Sequence, residues 1–474
     1  MENQSHRFDI LSAEALRNHH LNSSLERLRG GLSWTRAAAL EQFPQFDQAK
    51  VRAVEVKDHC LRHLDHYLEQ LESAVTAQGG QVHWAIDAAA ASQTVVDLCR
   101  KHSAHKVIKS KSMVTEEIAL NRHLEDAGFE VTETDLGEYI IQLRQEPPSH
   151  IVGPAIHLTV DQVAQTFAEH HTDHPSARRP ERAAVSDLVT EAREVLRSRF
   201  LEADVGITGA NFLVADSGTA VVVTNEGNAD LCAVLPRVQI VVAGIDKVVP
   251  NARETANLLR LLTRSATGQP CATYTSFFSP GGHAQSPPDR PFHLVLVDNG
   301  RSRLVGSEQQ DILRCIRCGA CMNHCPVYAE IGGQAYGSVY PGPMGAVWTP
   351  ALVGLERSAV LPAASTFCGR CESVCPVAIP LPRLMRNWRA EAHERGLDPP
   401  ATRLGLRLWR WFAERPGAYR GVTRAAARGL AWLGRRRGYL RSLPIGRGWL
   451  AWRDLPSPEG QTFMDLMRGD ERLQ

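Results

Sequence analysis

Seven of the eleven cysteines in this 474-residue chain lie between residues 315 and 375. The first four form the run Cys315-Ile-Arg-Cys318-Gly-Ala-Cys321-Met-Asn-His-Cys325-Pro326, which has the spacing C-x2-C-x2-C-x3-C-P. Three thiolates of such a loop reach three iron corners of a cubane cluster, and the fourth cysteine binds the neighbouring cluster. Buried free thiols and a zinc site are the alternatives, but zinc sites pair C-x2-C units at a distance. The run therefore predicts iron–sulfur clusters.

The second cysteine run, Cys368-Gly-Arg-Cys371-Glu-Ser-Val-Cys375-Pro376, lacks one ligand. Aligned on its C-x3-C-P end, it has Ser365 where the first cysteine would stand. Because the last cysteine of each run crosses to the other cluster, we predict two clusters of the [4Fe–4S] type. Cluster 1 is bound by Cys315, Cys318, Cys321 and Cys375, and cluster 2 by Cys325, Cys368 and Cys371. Cluster 2 then has a non-cysteine fourth ligand such as solvent or a serine oxygen, an open iron, or only three irons.

The composition is that of a soluble globular protein, with 43% hydrophobic and 22% charged residues. The formal net charge of +1 implies no global electrostatic partner. The start of the chain lacks the features of a signal peptide, and no run of about 18 apolar residues occurs. We therefore expect a cytoplasmic protein, in which clustered cysteines bind metal rather than form disulfides. The other four cysteines are expected to be buried thiols: Cys60, Cys99, Cys232 and Cys271.

Apolar periodicity divides the chain into four regions. Residues 1–80 have helical spacing, whereas residues 81–304 alternate short apolar runs with helix-like segments, the pattern of a parallel sheet covered by helices. Residues 305–390 are predicted to form a helix-rich, ferredoxin-like two-cluster domain, and residues 391–474 a basic C-terminal region. The predicted strands are 82–86, 106–108, 130–133, 212–215, 220–224, 239–243, 272–277 and 293–297. The predicted helices are 90–100, 115–127, 184–200, 252–264 and 351–357.

Three connecting segments are also predicted. Asp216-Ser-Gly-Thr219 joins two apolar runs and has the composition of a hairpin turn. Glycine and proline between residues 332 and 350 predict a loop in the spacer between the cysteine runs. The segment 280–291, rich in the same two residue types, is expected to be a surface loop.

The segment from Thr402 to Arg453 has many arginines and a single acidic residue, Glu414. It also contains five of the nine tryptophans: Trp409, Trp411, Trp432, Trp449 and Trp452. Docking of a partner protein is the first interpretation, and peripheral contact with an anionic membrane, at its inner face, is the second. Packing of the tryptophans against the ferredoxin-like domain is the structural alternative, and nucleic-acid binding is disfavoured. Glycine and proline interrupt the segment, so no single long helix is expected.

A polar segment of the α/β region is a candidate binding site. Lys109, Lys111, Thr115 and Glu117 lie at a strand end leading into a helix, where α/β folds bind anions. A site for a carboxylate and a surface strand–helix junction are both consistent with this pattern. The sequence Gly206-x-x-Gly209 lacks the third glycine of a dinucleotide fingerprint, so no NAD binding is predicted.

Three further side chains have a functional and a structural interpretation. Glu226, in Thr-Asn-Glu-Gly-Asn, is similar in its neighbourhood to the nucleophilic glutamate of CoA transferases, although the residue order differs. A turn glutamate is the commoner case. His150 and His157 are either proton carriers or metal ligands, or simply hydrogen-bonded histidines of the core or surface, which are more frequent.

Several motifs resemble those of the lactate utilization protein B family, an iron–sulfur component of a three-protein bacterial system for L-lactate oxidation. They are Lys109-Ser-Lys-Ser-Met-Val-Thr-Glu-Glu117, Glu133-Thr-Asp-Leu-Gly-Glu-Tyr-Ile-Ile-Gln-Leu143, Pro148-Ser-His-Ile-Val-Gly-Pro-Ala-Ile-His157, Gly206-Ile-Thr-Gly-Ala-Asn211 and Asp216-Ser-Gly-Thr, together with the seven-cysteine pattern. The resemblance covers nearly the whole chain. It implies an α/β lactate-utilization (LUD) domain similar to the sugar-phosphate isomerase and CoA-transferase fold. It also implies two partner proteins, the A and C types of lactate utilization subunit.

Two functions remain open from the sequence. The resemblance implies an electron carrier in the oxidation of L-lactate to pyruvate. The alternative is a catalytic subunit that binds an organic acid or acyl substrate in the α/β domain, with accessory clusters. No flavin motif is evident, and the spacing and periodicity identify neither a catalytic residue nor the electron acceptor.

Overall fold

The computed structural model describes residues 3–174, 184–281, 290–443, 450 and 453–469. The chain divides into two compact units, Met1–Ala392 and His393–Gln474. The strands of the first unit are β1 (Gln81–Ala85), β2 (Lys106–Lys109), β3 (Glu130–Glu133), β4 (Val205–Thr208), β5 (Phe212–Val214), β6 (Thr219–Thr224), β7 (Val238–Gly244), β8 (Val248–Val249), β9 (Tyr274–Phe278) and β10 (Phe292–Val297).

Most helices of the first unit precede or alternate with these strands. They are α1 (Phe8–Leu16), α2 (His19–Glu41), α3 (Phe46–Arg62), α4 (Leu64–Ala77), α5 (Ala88–Lys101), α6 (Met113–Glu117), α7 (Leu120–Asp126), α8 (Leu136–Leu143), α9 (Val160–His170), α10 (Val185–Glu202), α11 (Asn228–Val234) and α12 (Ala252–Ala266). The cysteine-rich segment adds α13 (Ala320–Asn323), α14 (Pro326–Ile331), α15 (Gly342–Val353), α16 (Leu355–Ser358), α17 (Arg370–Ser373) and α18 (Leu381–Glu394).

A six-stranded sheet in the order β1-β10-β7-β4-β2-β3 forms the centre of the α/β region, and every pair in it is parallel. Its middle strand β7 is buried along its whole length, as the continuous apolar run of a strand covered on both faces requires. Asp87 and Asn251 start the helices α5 and α12 by accepting hydrogen bonds from backbone N–H groups of the first turn, and α5 packs against β1 and β10. The predicted parallel sheet covered by helices is therefore confirmed.

A second, four-stranded sheet has the order β8-β5-β6-β9. β5 and β6 pair antiparallel around the Asp216-Ser-Gly-Thr219 turn, which confirms the predicted hairpin. In the turn, Gly218 has a φ of +63°, a left-handed conformation that favours glycine. The sequence did not distinguish this sheet from the parallel one, because strand length and apolar content are alike in both.

Four sequence predictions are wrong. The single helix expected over 351–357 is interrupted at Gly354, whose φ of +88° separates the end of α15 from α16. The single helix expected over 115–127 is two helices, α6 and α7, because Ala119 between them has a φ of +53°. The loop expected between residues 332 and 350 contains most of α15. That helix starts next to Pro343, whose missing N–H would have no partner in a first turn anyway. Cys271 is exposed, whereas Cys60, Cys99 and Cys232 are buried as predicted. Of the segment 280–291, residues 282–289 lie outside the described residues.

The N-terminal helices pack on the cysteine-rich segment. Arg36 of α2 donates through Nη2 to the carbonyl oxygen of Val374 at 3.0 Å. Leu21 and Leu25 of the same helix lie against Gly332. The helical character of residues 1–80 was predicted, but this contact joins residues that are far apart in the sequence and so leaves no local pattern.

The second unit contains α19 (Pro400–Ala413), α20 (Pro416–Gly434), the antiparallel pair Tyr439–Leu440 and Leu455–Pro456, and the helix Phe463–Gly469. The expected interruption of the tail is confirmed, since α19 and α20 are separate helices. Trp409, Trp411 and Trp432 are exposed, and Trp449 and Trp452 lie outside the described residues. Among the described residues, no helix is both long and apolar enough to span a membrane.

Candidate iron–sulfur centre

The two cysteine runs fold into loops with the same backbone conformation. In the first loop Arg317 and Gly319 have φ values of +59° and +76°, and in the second Phe367 and Gly369 have +54° and +78°. Each glycine immediately precedes a short helix, α13 or α17. Residues other than glycine seldom adopt a positive φ. Because Arg317 and Phe367 do so at equivalent positions, the two loops follow the same backbone path.

This shared conformation places Ser365 at the position in its loop that Cys315 occupies in the first. The backbone N–H of Arg317 donates to Cys315 Sγ at 3.4 Å, and that of Phe367 donates to Ser365 Oγ at 3.0 Å. In both cases the donor lies two residues after the acceptor. The register drawn from the C-x3-C-P end is thus the one that the backbone follows, while ligation by Ser365 remains a prediction.

Cys315, Cys318, Cys321 and Cys375 line one cavity, called here the cluster-1 cavity. Apolar side chains such as Met344 complete its wall. Burial and the neighbouring Cys375 raise the pKa of Cys318 to about 12, and burial raises the pKa of Cys375 to about 11. Without metal these thiols stay protonated at neutral pH, and iron binding has to displace their protons.

Cys325, Cys368 and Cys371 form a second group. Burial and the neighbouring Cys325 raise the pKa of Cys371 to about 12. Cys368 is exposed, and hydrogen bonds from the Thr366 side chain and from the backbone lower its pKa. Cys371 also lies near enough to Cys321 to affect its pKa, so the two groups are neighbours. The grouping is the one that crossed ligation requires, and iron binding by these thiols stays a prediction.

The thiols surround a space instead of converging on a point. Among the described residues, no group of three or more His, Cys, Asp or Glu side chains is arranged to hold a single metal ion. A cubane cluster asks for a different arrangement, because each thiolate binds a separate iron corner. The four thiols around the cluster-1 cavity fit that requirement.

A buried ion-pair network lies beside the first loop. Arg301 donates to Glu117 Oε2 at 2.8 Å and to Asp246 Oδ1 at 2.7 Å. Burial alone would raise the pKa of both carboxyls, but the Arg301 guanidinium lowers both below their usual values. A Cβ on Gly244 would lie 2.5 Å from Arg301 Nε, so a larger residue here would displace the Arg301 side chain from its ion pairs.

Arg317, inside the first cysteine run, has an unusual environment. Its guanidinium carbon lies 4.0 Å from the ring centroid of Trp348 and 5.0 Å from that of Tyr340. Its Nη2 is 4.0 Å from Asp246 Oδ2. None of its three guanidinium nitrogens has a hydrogen-bond partner among the described residues. Arg317 was not among the predicted functional residues, although its place between Cys315 and Cys318 in the sequence was a visible signal.

A second cavity of about 310 Å³ opens at the carboxyl ends of β2, β4 and β7. We call it the sheet-edge cavity, because in parallel sheets this edge carries the ligand sites. Its wall includes Lys111, Asn211, Lys247 and Arg317. The Nζ of Lys111 also donates to the carbonyl oxygen of Val152 at 2.7 Å.

Of the four residues considered as a possible carboxylate site, only Lys111 lines this cavity. Lys109 is fully buried and pairs with Glu116 at 2.9 Å and with Glu133 at 2.6 Å. Thr115 accepts a hydrogen bond from Lys109 Nζ at 3.0 Å, and Glu117 is bound to Arg301. Buried neighbours use three of the four side chains, which disfavours the carboxylate-site interpretation and leaves only Lys111 facing the cavity.

The remaining candidate residues have structural partners. His150 is buried next to Asn323, at 2.9 Å, and burial lowers its pKa to about 4. His157 contacts Glu146 at 2.8 Å. Both are the hydrogen-bonded histidines of the structural interpretation. Glu226 lines the sheet-edge cavity and accepts from the backbone N–H of Leu136 at 3.3 Å. Burial, with a contribution from the neighbouring Asp135, raises its pKa.

Two protein-family models and several known proteins match this chain. Residues 68–297 match the LUD domain family, and residues 311–379 match the 4Fe-4S dicluster domain family. The chain is 41% identical to lactate utilization protein B of Bacillus velezensis, over 97% of this chain and 96% of that protein. It is also 41% identical to the uncharacterized electron transport protein YkgF of Escherichia coli, over 90% and 89%. A crystal structure of a DUF162 family protein from Deinococcus radiodurans aligns with 49% of the chain at a TM-score of 0.29 and 13% identity.

Proposed function

Because this chain belongs to the lactate utilization protein B family, we propose that it is an iron–sulfur electron carrier in the oxidation of L-lactate to pyruvate. The observation that supports the proposal is the crossed grouping of the thiols. Cys375 of the second run lies with three thiols of the first run, and Cys325 of the first run lies with Cys371. Two cluster sites linked in this way are neighbours, which is what electron transfer between them requires.

We propose two [4Fe–4S] clusters with the ligands named above, and a fourth ligand of cluster 2 that is not cysteine. Each bound cluster would take up and release single electrons. The protein would hold cluster 1 in apolar surroundings, while the exposed Cys368 leaves cluster 2 nearer to solvent. Solvent exposure is one of the factors that set a cluster's potential, so the two clusters would differ in potential.

Two features of the α/β region and the tail belong to the same proposal. The parallel sheet with helices on both sides supports a LUD domain similar to the isomerase and CoA-transferase fold, with boundaries near residues 81 and 304 and a cluster domain from 305 to 390. The exposed apolar side chains of α19, with arginines between them, support docking of the A-type or C-type partner protein. Peripheral contact with the inner face of the membrane is the second use proposed for this surface.

The test is anaerobic purification of the chain alone and together with the A-type and C-type proteins, followed by addition of L-lactate. Cluster reduction is monitored by visible absorption and by electron paramagnetic resonance. We expect bleaching only when the partners are present, since the chain carries electrons that another subunit removes from lactate. Bleaching of the isolated chain by L-lactate would instead make it the catalytic subunit, and no bleaching in either sample would contradict the proposal.

A further inference from the structure

The two cysteine loops share a backbone path but differ in charge at one equivalent position. Arg317 of the first loop corresponds to Phe367 of the second, and both have a positive φ, +59° and +54°. Arg317 lies between Cys315 and Cys318 in the sequence and lines the cluster-1 cavity. Its backbone N–H donates to Cys315 Sγ. One loop therefore has a cation at the position where the other has an apolar ring.

The charge of Arg317 is buried and only weakly compensated. The side chain is 8% exposed, and a guanidinium cannot lose its proton in a protein. Among the described residues, none of its three nitrogens has a hydrogen-bond partner. Asp246 Oδ2 is 4.0 Å from Nη2, too far for a hydrogen bond, and the other oxygen of Asp246 accepts from Arg301. Stacking on Trp348 offsets part of the desolvation cost but does not remove the charge.

The electrostatic environment of Arg317 is dominated by a thiol of cluster 1. Burial alone would lower the pKa of Arg317, but the Cys315 thiolate raises it above its usual value and contributes more than Asp246 does. Two lysines also lie near Cys315. Burial lowers the pKa of Lys57, and burial with the neighbouring Arg317 lowers that of Lys247 to about 7. Of these three cations, Arg317 is therefore the one with a permanent charge.

We propose that Arg317 raises the reduction potential of cluster 1 and so shifts a transferred electron toward that cluster. This inference rests on the proposed function, because it concerns the clusters that the carrier would bind. Reduction adds one negative charge, which a buried cation nearby stabilises. Arg317 takes part in no bond change. It favours the state in which one electron has left cluster 2, which is oxidised, and has reduced cluster 1.

A packing role for Arg317 is the alternative, and the second loop argues against it. The same backbone conformation forms around Phe367, so the loop does not need a charged side chain at this position. A cation does lie near Phe367, because the guanidinium carbon of Arg389 is 5.1 Å from its ring centroid. Arg389 is exposed, however, and solvent and salt screen an exposed charge far more than a buried one.

The experiment is an anaerobic redox titration of the full chain with reconstituted clusters, without its partners. The midpoint potential of each cluster is measured by electron paramagnetic resonance. Arg317→Met should lower the potential of cluster 1 by about 59 mV, which is about a tenfold change in a one-electron equilibrium. Arg317→Lys should retain most of the potential, because the charge remains. The matched control is Phe367→Met, which changes the same loop position without loss of charge and should shift cluster 2 by clearly less.

A variant with the opposite expected sign makes the test independent of Arg317 itself. Asp246→Asn keeps an acceptor for Arg301 but removes the negative charge 4.0 Å from Arg317. It should raise the potential of cluster 1, since the Arg317 charge is then less compensated. This measurement decides the question even if Arg317→Met retains too little iron for a titration.

Three results would overturn the inference: an unchanged cluster-1 potential in Arg317→Met, equal shifts in Arg317→Met and Arg317→Lys, or a lowered potential in Asp246→Asn. Failure here is distinguishable from failure of the electron-carrier proposal. The redox titration uses neither L-lactate nor a partner protein, whereas lactate-dependent bleaching of the carrier needs both.

Discussion

At the scale of single residues, Ser365 lies where the proposed second cluster would lack a cysteine ligand. Its Oγ accepts the hydrogen bond that Cys315 Sγ accepts in the first loop. Thiolate is a softer and more acidic ligand than a hydroxyl and binds iron more tightly. We therefore expect Ser365→Cys to slow the loss of iron from cluster 2 under mild oxidation and to shift its midpoint potential, as measured by electron paramagnetic resonance in a redox titration.

The matched control is Ser373→Cys, which adds a thiol in the same run at an exposed position outside the ligand register. It should leave both the oxidation rate and the potential unchanged. Ser365→Ala then identifies the present ligand: a less stable cluster 2 indicates Oγ, and an unaltered one indicates solvent or another group. If neither Ser365 variant changed the spectrum, the shared register of the two loops would have no bearing on the cluster.

A second prediction at this scale concerns the crossing of ligands. Cys315→Ala should mainly remove the signal of cluster 1, and Cys325→Ala mainly that of cluster 2, although both belong to one run. The reason is that Cys315 lines the cluster-1 cavity, whereas Cys325 lies with Cys368 and Cys371. Iron analysis together with the spectra of each variant checks this. Selective loss of the cluster-1 signal in Cys325→Ala would show that the runs are not crossed.

At the scale of elements, Arg301 joins the end of α6 to the segment that follows β7. Arg301→Met would leave Glu117 and Asp246 buried without their cation, and we expect it to lower the free energy of unfolding at pH 7 by about 3–5 kcal/mol. In the unaltered protein Arg301 lowers the pKa of both carboxyls, so their stabilisation is present above the ordinary carboxyl pKa and is lost as the pH falls below it.

The destabilisation by Arg301→Met should therefore become smaller on acidification, below about pH 4, since protonated carboxyls need no cation. Denaturant unfolding at several pH values measures it. Arg303→Met, an exposed substitution in the same turn, is the control and should change stability by less than about 0.5 kcal/mol. A pH-independent difference between the two variants would mean that Arg301 acts by packing and not by charge.

The elements show which parts of the fold a sequence pattern can predict. Five of the six strands of the parallel sheet and the β5–β6 hairpin follow from local apolar runs and one turn, and these were predicted, whereas β4 (Val205–Thr208) was not. The helix α15 was not, because Gly342, Gly345 and two prolines dominate the local pattern, while burial of residues such as Trp348 stabilises the helix. The partners of Lys109 and the buried, unpartnered nitrogens of Arg317 depend on distant residues, which no local pattern records.

At the scale of the whole molecule, the two compact units suggest separable tasks. A chain ending at Gly396 keeps α18 and all seven cluster cysteines, so we expect it to hold about seven to eight irons after anaerobic reconstitution, as the full chain does. It should lose affinity for the A-type and C-type proteins, because it lacks the exposed apolar and arginine-rich surface of α19 and α20. Pull-down or calorimetry with the purified partners measures the loss.

A full-length variant with Arg403→Gln and Arg407→Gln serves as the control for folding of the tail. It should weaken partner binding and reduce its salt dependence, since fewer charges take part. Unchanged binding by the shortened chain would assign docking to the first unit, and a colourless, zinc-only preparation of either chain would contradict the iron–sulfur assignment itself.

The hydrogen bond from Arg36 to Val374 also constrains the order of events during protein synthesis. It joins residues 338 positions apart, and Val374 is next to Cys375, the last thiol of cluster 1 to be translated. Domains generally fold in the order in which they leave the ribosome. The helix α2 and the parallel sheet would therefore already be folded when Cys375 emerges. Docking of the N-terminal helix and completion of cluster 1 would then be a single late step, and nascent chains stalled before residue 375 should not retain a complete cluster 1.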